Sequence, residues 1–440
     1  MPRPIKYTVG ATKREVYKPA QQSCPPQEAL PRYYYVQPLQ NTPAAWTGAQ
    51  TYADFEVPQQ TGVLTEATLR FQLAFGGQTN GATPPVALPL PALPSTPFWV
   101  DHIEVYLGSD LIETVWKHDI WNEEIGFRAI QDLENVASTN GQYSLYNSDL
   151  DGTFPNASLV PTSVVPNNSG NNYWFLNMPT CLRSAKPYVR GFQSRIRFRV
   201  YFPTSLTIDA SPATKQTVSL NEVIMIVEEA STDPATIAEL EKAHKQSTVD
   251  YTVAVRNRVQ QTFSSGQISN GNDIQIYLRG FKNKSAGIVV YNTSADAFNQ
   301  NSSATMNNRY EASIYQLLDA QNNKITERLP LEWLQTYVFN DAVESCSPSQ
   351  FDANISTMII FPFSSSFSTT LNKGCSYGGF RFTTLEQLVL NYSGAFNSTT
   401  GQDVRPQGIA GQAGTVIITA TSYDYGHITV SAGRHSFRME

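Results

Sequence analysis

The sequence is poor in charged residues: Asp, Glu, Lys and Arg make up 15% of its 440 residues, and the formal net charge is -6. With this balance the chain has no global basic field for wrapping nucleic acid. No apolar run approaches the roughly 20 residues that a membrane-spanning helix needs. The N-terminal residues MPRPIKYTVG lack the apolar core of a signal peptide, so we expect no secretory route.

Cysteine and histidine are also scarce, which argues against disulfide frameworks and metal centres. The cysteines are Cys24, Cys181, Cys346 and Cys375. They form no CxxC pair, so we expect buried, reduced thiols. The histidines are His102, His118, His244, His427 and His435. Their spacing matches no metal-ligand pattern, and we predict structural roles for them.

Catalytic motifs are missing as well: there is no P-loop, GxGxxG, HExxH, GxSxG or EF-hand. Asp149 and Asp151 resemble half of a calcium loop, but its later ligands are absent, so a polar turn is favoured. Glu123 and Glu124 are adjacent, and adjacent residues on a helix point apart, which excludes a paired acid and base. We therefore predict no catalytic residue, no metal ligand and no cofactor, and we expect that the protein is not an enzyme.

What the chain has instead is aromatic residues and turn formers, with 22 Tyr, 22 Phe, 26 Gly and 27 Pro. This composition favours an all-β, loop-rich protein. The strictest alternation lies at Ile196–Phe202, where apolar residues alternate with polar ones and predict a half-buried strand. Arg195, Arg197 and Arg199 share its polar face. Such a row either binds phosphate or pairs with carboxylates across a sheet or a subunit contact, and pairing is favoured.

One pattern occurs twice, about two hundred residues apart. The first copy, FWVDHIEVYLGSDLIETVWKHDIWNEEIGF, spans Phe98–Phe127; the second, NRYEASIYQLLDAQNNKITERLPLEWLQTYVF, spans Asn308–Phe339. Each predicts a strand, a tight turn, a return strand (from Ile325 in the second copy) and a short helical segment led by tryptophan. Trp121 and Trp333 occupy matching points, which favours core packing over sugar stacking. The repetition indicates two similar halves.

A single strong helix signal separates the two copies. Asp233 is a suitable N-cap and Pro234 suits the first helical position. Ile237, Leu240 and His244 follow at helical spacing on one face. We expect His244 to be a helix-surface residue rather than a ligand.

The chain ends in GTVIITATSYDYGHITVSAGRHSFRME, which predicts two strands around a turn at Asp424, Tyr425 and Gly426. Both halves then show about eight strand candidates and long polar loops, the pattern of a jelly roll. We predict an all-β fold of two consecutive eight-stranded jelly-roll barrels with a short connecting helix and long polar loops. The predicted units are 1–30 (an extended basic N-terminal arm), 31–230 (first jelly roll), 231–248 (connecting helix) and 249–440 (second jelly roll).

Four stretches resemble the double jelly-roll major capsid proteins of the adenovirus–tectivirus lineage, in particular those of algal large DNA viruses, virophages and Polinton-like viruses. The stretches are FWVDHIEVYLGSDLIETVW, NMPTCLRSAKPYVRGFQSRIRFRVYF, FSTTLNKGCSYGGFRFTTLEQLVLNY and VIITATSYDYGHITVSAGRHSFR. The resemblance implies a viral major capsid protein located in the virion. Three chains would form a homotrimeric, pseudo-hexagonal capsomer, and many capsomers would tile an icosahedral shell.

The resemblance also implies partners: neighbouring capsomers, penton proteins and minor capsid proteins. The basic arm at 1–30 would touch the genome or an internal membrane, or clip adjacent capsomers; a solvated tail is the alternative. The polar loops at 135–172, 292–308 and 393–414 would form an outward crown. Two other functions stay open: a glycan-binding or glycan-cleaving double jelly-roll protein, and a trimeric receptor-binding spike.

Overall fold

The computed structural model describes the strands of the protein and the shorter connections between them. The described residues are 31–39, 51–78, 88–89, 100–120, 163–164, 172–203, 216–230, 233–264, 267, 273–294, 312–334, 359–364, 367, 378–392 and 415–440. Strands dominate these residues, so the predicted all-β class is confirmed. Within this part of the chain, no helix is long and apolar enough to cross a membrane.

The first half is built from two antiparallel sheets. Its strands are β1 (Arg32–Val36), β2 (Tyr52–Glu56), β3 (Leu64–Gln78), β4 (Leu88–Pro89), β5 (His102–Leu107), β6 (Asp110–Trp116), β7 (Ser163–Val164), β8 (Asn172–Asn177), β9 (Ile196–Tyr201) and β10 (Gln216–Glu229). The sheets have the strand orders β1-β10-β3-β8 and β2-β9-β5-β6, and β4 pairs with β7. A short helix, α1 (Cys181–Ala185), and a 3-10 turn (Val189–Gly191) lie between β8 and β9.

The second half repeats this arrangement. Its strands are β11 (Thr248–Ser264), β12 (Ile274–Tyr277), β13 (Lys284–Ser294), β14 (Ile314–Leu318), β15 (Leu329–Pro330), β16 (Ile359–Pro362), β17 (Phe380–Arg381), β18 (Gln387–Asn391), β19 (Thr415–Ser431) and β20 (Arg434–Met439). The sheet orders are β11-β19-β13-β16 and β12-β18-β14-β15, with β17 added beside β13 and β20 beside β19. The connecting helix is α2 (Pro234–Gln246), and α3 (Leu331–Trp333) follows β15.

Both halves have jelly-roll topology. When β4, β7, β17 and β20 are left aside, the first strand of each half lies beside the eighth, followed by the third and sixth. The second strand lies beside the seventh, followed by the fourth and fifth. The two copies of the repeated sequence unit supply the fourth and fifth strands, β5–β6 and β14–β15, and so occupy equivalent places. In the second copy the return strand is only Leu329–Pro330, so it begins later than the Ile325 that was predicted.

The antiparallel pairing sends successive connections alternately to the two ends of each barrel. The connections after β2, β5 and β8 leave the first barrel at one end, which we call the short-turn end. In the second barrel the described residues of this end are 278–283, 319–328, 363–364 and 378–386. Strands β1, β3, β6 and β9, and their counterparts β11, β13, β15 and β18, finish at the opposite end of each barrel.

The C-terminal turn differs from the one predicted at Asp424 to Gly426. Strand β19 runs without interruption through these residues, and the turn to β20 lies at Ala432 and Gly433, whose φ angles are +49° and +79°. Two consecutive positive φ angles match the twist of a tight hairpin. Gly426 instead allows close packing, because a Cβ there would lie 3.0 Å from a ring carbon of Phe437. Gly426 is thus required for close packing within a strand and not for a turn.

Each barrel has its own apolar core. Phe55, Phe71 and Phe198 lie in the first core and Leu317 and Leu388 in the second, all with 0% exposure. Burial of each such side chain stabilises the fold by about 1.5–3 kcal/mol. The first core also contains four residues of the second half: Val253, Val255, Ile428 and Val430. The two barrels therefore share apolar contacts along β11 and β19.

Candidate functional site

The residues with the most unusual environments lie at the junction between the barrels, and Glu113 is at its centre. A register shift in the β5–β6 pairing places Val105 opposite Glu113 but Tyr106 opposite Leu111. As a result Ile112 and Glu113 are consecutive and both buried, where strict alternation would expose one of them. Glu113 itself lies opposite the buried Val105, on the same face as Val115, and its carboxylate contacts Arg256 of the second half.

Glu113 forms a buried ion pair with Arg256 on β11. Its Oε1 accepts hydrogen bonds from Arg256 Nη1 at 2.5 Å and from the Arg256 backbone N–H at 3.1 Å. Its Oε2 accepts the Cys181 N–H at the start of α1 at 2.7 Å. Arg256 Nη2 also donates to the Pro179 carbonyl oxygen. The two side chains are 0% and 5% exposed, so this one carboxylate holds β6, α1 and β11 together away from water.

Two further contacts continue the junction in the same direction along both strands. The Arg258 guanidinium lies 5.2 Å from the centre of the Trp116 ring. At the level of Arg258, the Thr421 hydroxyl of the paired strand β19 donates to Asp119 Oδ1 at 2.8 Å, and burial raises the pKa of Asp119. Because the contacts advance from Glu113 to Trp116 on β6 as they advance from Arg256 to Arg258 on β11, the barrels stand side by side with their short-turn ends pointing the same way.

A partly open cavity of about 350 Å³ lies between the barrels at this junction. Its lining residues are Leu111, Ile112, Glu113, Thr114, Trp116, Asp119, Arg256, Asn257 and Arg258. The lining combines an aromatic ring, two carboxyl groups and two guanidinium groups, with Glu113 and Arg256 already engaged with each other. Among the described residues, no group of three His, Cys, Asp or Glu side chains is placed to hold a metal ion.

A further buried carboxyl group, that of Asp424, lies where β19 passes between the two cores. Asp424 is 0% exposed, and burial raises its pKa despite the donors around it. Asn283 Nδ2 donates to Asp424 Oδ2 at 3.1 Å. Nearby, the Ser285 hydroxyl donates to the Tyr423 carbonyl oxygen at 3.1 Å. Like Asp119, this carboxyl group favours its protonated form more than an exposed aspartate does.

The connecting helix is fixed to the first barrel through His244. The expectation of a helix-surface residue was wrong, because His244 is 2% exposed. Its Nδ1 lies 2.8 Å from the Leu240 carbonyl oxygen, an acceptor, so Nδ1 carries the proton. Its Nε2 then accepts from the Tyr251 hydroxyl at 2.8 Å, and that hydroxyl accepts the Tyr188 N–H at 3.1 Å. Gly191 makes room for the ring, since a Cβ there would overlap it.

The arginine row on β9 pairs mainly with carboxylates, as favoured from the sequence. Arg199 donates to both carboxylate oxygens of Asp54, at 2.7 and 3.1 Å. Arg195 forms an ion pair with Glu56. Arg197 lies 4.7 Å above the Tyr106 ring. The row thus ties β9 to its neighbours on both sides.

Some of the remaining residues singled out in the sequence are described by the structure, and others are not. Trp333 is 47% exposed, so the expectation of core packing was wrong for it. Cys181 is free and buried, as expected, and burial raises the pKa of its thiol. Eight further residues lie outside the described part of the chain: Trp121, Glu123, Glu124, Asp149, Asp151, Cys24, Cys346 and Cys375.

The surface carries one cluster of exposed aromatics, on the edge strand β1. Tyr33 is 53% exposed and Tyr35 is 66% exposed, and the nearby Leu39 is 61% exposed. Among the described strands, β1 pairs only with β10, so its second edge has no strand partner there. Exposed aromatics beside an open edge are typical of surfaces that contact another chain.

Two jelly rolls of the same strand order, in one chain and side by side, define a double jelly-roll protein. No protein-family model and no curated protein sequence matches the chain. Solved structures do match. The chain is similar to PBCV-1 VP54, in a crystal structure fitted into a cryo-EM reconstruction of the virophage Sputnik, with a TM-score of 0.62 and 10% identity over 94% of this chain and 97% of that one.

Two further solved structures share the fold. The quasi-atomic model of the PBCV-1 virus capsid has a TM-score of 0.58 and 10% identity, covering 93% of this chain and 97% of that one. The Faustovirus major capsid protein has a TM-score of 0.55 and 8% identity, covering 91% of this chain and 90% of that one. At these identities the likeness establishes the fold, and the predicted double jelly roll is thereby confirmed.

Proposed function

We propose that this protein is a viral major capsid protein that forms a homotrimeric, pseudo-hexagonal capsomer. Many such capsomers tile an icosahedral shell, and the protein resides in the virion. The observation that carries the proposal is the double jelly roll itself, which matches PBCV-1 VP54 over 94% of this chain and 97% of that one. Because the match covers nearly all of both chains, it supports a shared overall architecture and not merely one shared domain.

The junction between the barrels supports a building-block role. A capsomer must present two barrels at a fixed relative orientation to its neighbours. Here a buried ion pair, Glu113 with Arg256, and a buried hydrogen bond, Thr421 with Asp119, fix that orientation. Barrel closure also hides most sheet edges, which limits edge-to-edge aggregation at high protein concentration.

The proposal assigns roles to the segments of the chain. Residues 31–230 and 249–440 are the two barrels, 231–248 the connection, and 1–30 an arm that contacts the genome, an internal membrane or adjacent capsomers. Other partners are neighbouring capsomers, penton proteins and minor capsid proteins. The role is structural and not enzymatic.

The strongest alternative is a glycan-binding or glycan-cleaving double jelly roll. The cavity between the barrels favours it to a degree, because Trp116, Glu113 and Asp119 line one space. However, a catalytic acid or base must be free to exchange protons with substrate. Glu113 instead accepts three hydrogen bonds within the fold, and Asp119 accepts one from Thr421. A trimeric receptor-binding spike is the second alternative, and it would not form shells.

The mass in solution tests the proposal. We expect light scattering to find three copies of the 48.8 kDa chain, 146 kDa, or larger shells. A stable 48.8 kDa monomer would contradict the capsomer and favour the glycan-active protein. A trimer present at only a few copies per particle would favour the spike.

A further inference from the structure

One corner of the second barrel gathers exposed cations around exposed apolar side chains. It lies at the short-turn end, where β12 ends and where the chain enters β18. Tyr277 is 44% exposed and Leu385 is 57% exposed. Arg279, Lys282 and Arg381 are exposed beside them. We call these five residues the basic corner.

Backbone contacts bring the members of the basic corner together. Tyr277 pairs with Gln387, and the next residue, Leu278, donates its N–H to the Glu386 carbonyl oxygen at 2.9 Å. This places Leu385 beside the end of β12. Lys284 pairs with Arg381, which brings the β12–β13 turn and β17 together. The Arg279 guanidinium lies 5.1 Å from the centre of the Tyr277 ring.

The cations of the basic corner are not neutralised by any acidic side chain among the described residues. In the described part of the chain, neither Arg279, Lys282 nor Arg381 forms an ion pair, although twelve ion pairs occur elsewhere in it. Of the two acidic residues close to these turns, Glu440 is paired with Lys284, and Glu386 is 3% exposed. Its carboxylate is occupied by the Thr383 N–H at 2.9 and 3.0 Å and by the Thr383 hydroxyl at 2.7 Å.

The same contacts hold Leu385 in solvent. The Glu386 carboxylate accepts hydrogen bonds from Thr383, and Thr384 adopts a left-handed φ of +74°. These features give the turn a defined conformation. The next residue, Leu385, stands at its outer side. An exposed leucine therefore stands on a braced turn, beside an exposed tyrosine and three exposed cations.

We propose that the basic corner docks on an anionic lipid surface. Leu385 would enter the boundary between headgroups and acyl chains, Tyr277 would lie at the headgroup level, and the three cations would contact lipid phosphates. Stacking on nucleic acid bases suits the corner less well, because Arg279 already covers one face of the Tyr277 ring. The proposal goes beyond the capsid function and does not depend on it.

Vesicle co-sedimentation of the full-length protein tests the proposal. The probe vesicles contain phosphatidylcholine alone or with phosphatidylglycerol. We expect binding to the anionic vesicles and little to the neutral ones. The triple variant Arg279→Gln/Lys282→Gln/Arg381→Gln should bind about a hundredfold more weakly, since each cation near an anionic surface contributes about fivefold. Leu385→Ser should weaken binding about tenfold, in a manner that added salt does not remove.

A control variant separates this site from the basic arm at 1–30, which is present in every variant. Lys242→Gln removes an exposed cation from the connecting helix and should bind like the parent. Thermal melting confirms that each variant folds. Equal binding of parent and triple variant, or no preference for anionic vesicles, would overturn the proposal. Loss of duplex DNA binding in the triple variant, without vesicle binding by the parent, would also overturn it and assign the corner to nucleic acid.

Discussion

Glu113 on the first barrel and Arg256 on the second form an ion pair of 2.5 Å that is almost entirely removed from water. Removing two charges from water is costly, and the cost is offset only when further hydrogen bonds satisfy both groups. Here the Cys181 N–H and the Pro179 carbonyl oxygen do so. Either charge alone would be buried without a partner. The barrels must therefore keep the orientation in which the two side chains meet.

Glu113→Gln should destabilise the protein strongly. It leaves the Arg256 guanidinium buried without its counter-charge, and breaking a buried pair in this way costs about 3–5 kcal/mol. Chemical denaturation monitored by tryptophan fluorescence measures the loss. Glu56→Gln is the matched control, because its pair with Arg195 is partly exposed and should cost less than about 1 kcal/mol. Equal losses for the two variants would show that burial of the Glu113 pair has no special importance.

The buried carboxyl group of Asp424 should make stability depend on pH. Burial raises its folded-state pKa above the unfolded value, so the protonated form favours folding. This contribution is present at low pH and is lost as the pH rises through the folded-state pKa. Asp424→Asn mimics the protonated form. It should therefore stabilise the protein more at pH 8 than at pH 4.5, as read from melting temperatures at both values; a gain that is independent of pH would contradict this.

Gly191→Ala should loosen the connecting helix from the first barrel. The added Cβ overlaps the His244 ring, and overpacking of this kind costs about 1–3 kcal/mol. A double-mutant cycle supplies the control. In the background of His244→Ala the ring is gone, and the same glycine substitution should then cost much less. A cost that stays the same in both backgrounds would place the strain elsewhere.

Deletion of residues 1–30 should separate folding from assembly. The described first sheet begins at Arg32, and β1 keeps its full pairing with β10 without the arm. We therefore expect a soluble trimer of undiminished thermal stability that assembles into shells less efficiently. Light scattering follows the trimer, and electron microscopy counts the shells. Loss of the soluble trimer on deletion would show that the arm belongs to the trimer contact instead.

Local sequence patterns predicted the elements of this fold well, because strand alternation and turn chemistry act over a few residues. The alternation at Ile196–Phe202 gave β9, and the Asp233 cap gave the start of α2, where its Oδ1 accepts the Thr236 N–H at 2.9 Å. The repeated unit at Phe98–Phe127 and Asn308–Phe339 pointed to two similar halves, which the identical strand orders bear out.

The junction could not be predicted in this way, because its residues are defined by what covers them. In DLIETVW, Glu113 lies on the same face as Val115, opposite the buried Val105, but nothing in the local sequence shows that Arg256 of the second half covers that face. His244 has helical spacing in the sequence, but nothing there says that the first barrel covers it. Trp333 shows the opposite case, since its equivalent place in the repeat predicted burial and the chain leaves it half exposed.

The long strands β11 and β19 contribute to the stability of both barrels. Their paired residues run from Thr248 with Ser431 to Ser264 with Thr415, and the same pair of strands closes both cores. Val253 and Ile428 complete the first core although they belong to the second half. A chain cut after the connecting helix would leave the first barrel with an open side. The first barrel therefore cannot be separated from the second without exposing part of its own core, whereas the second core is built from its own half alone.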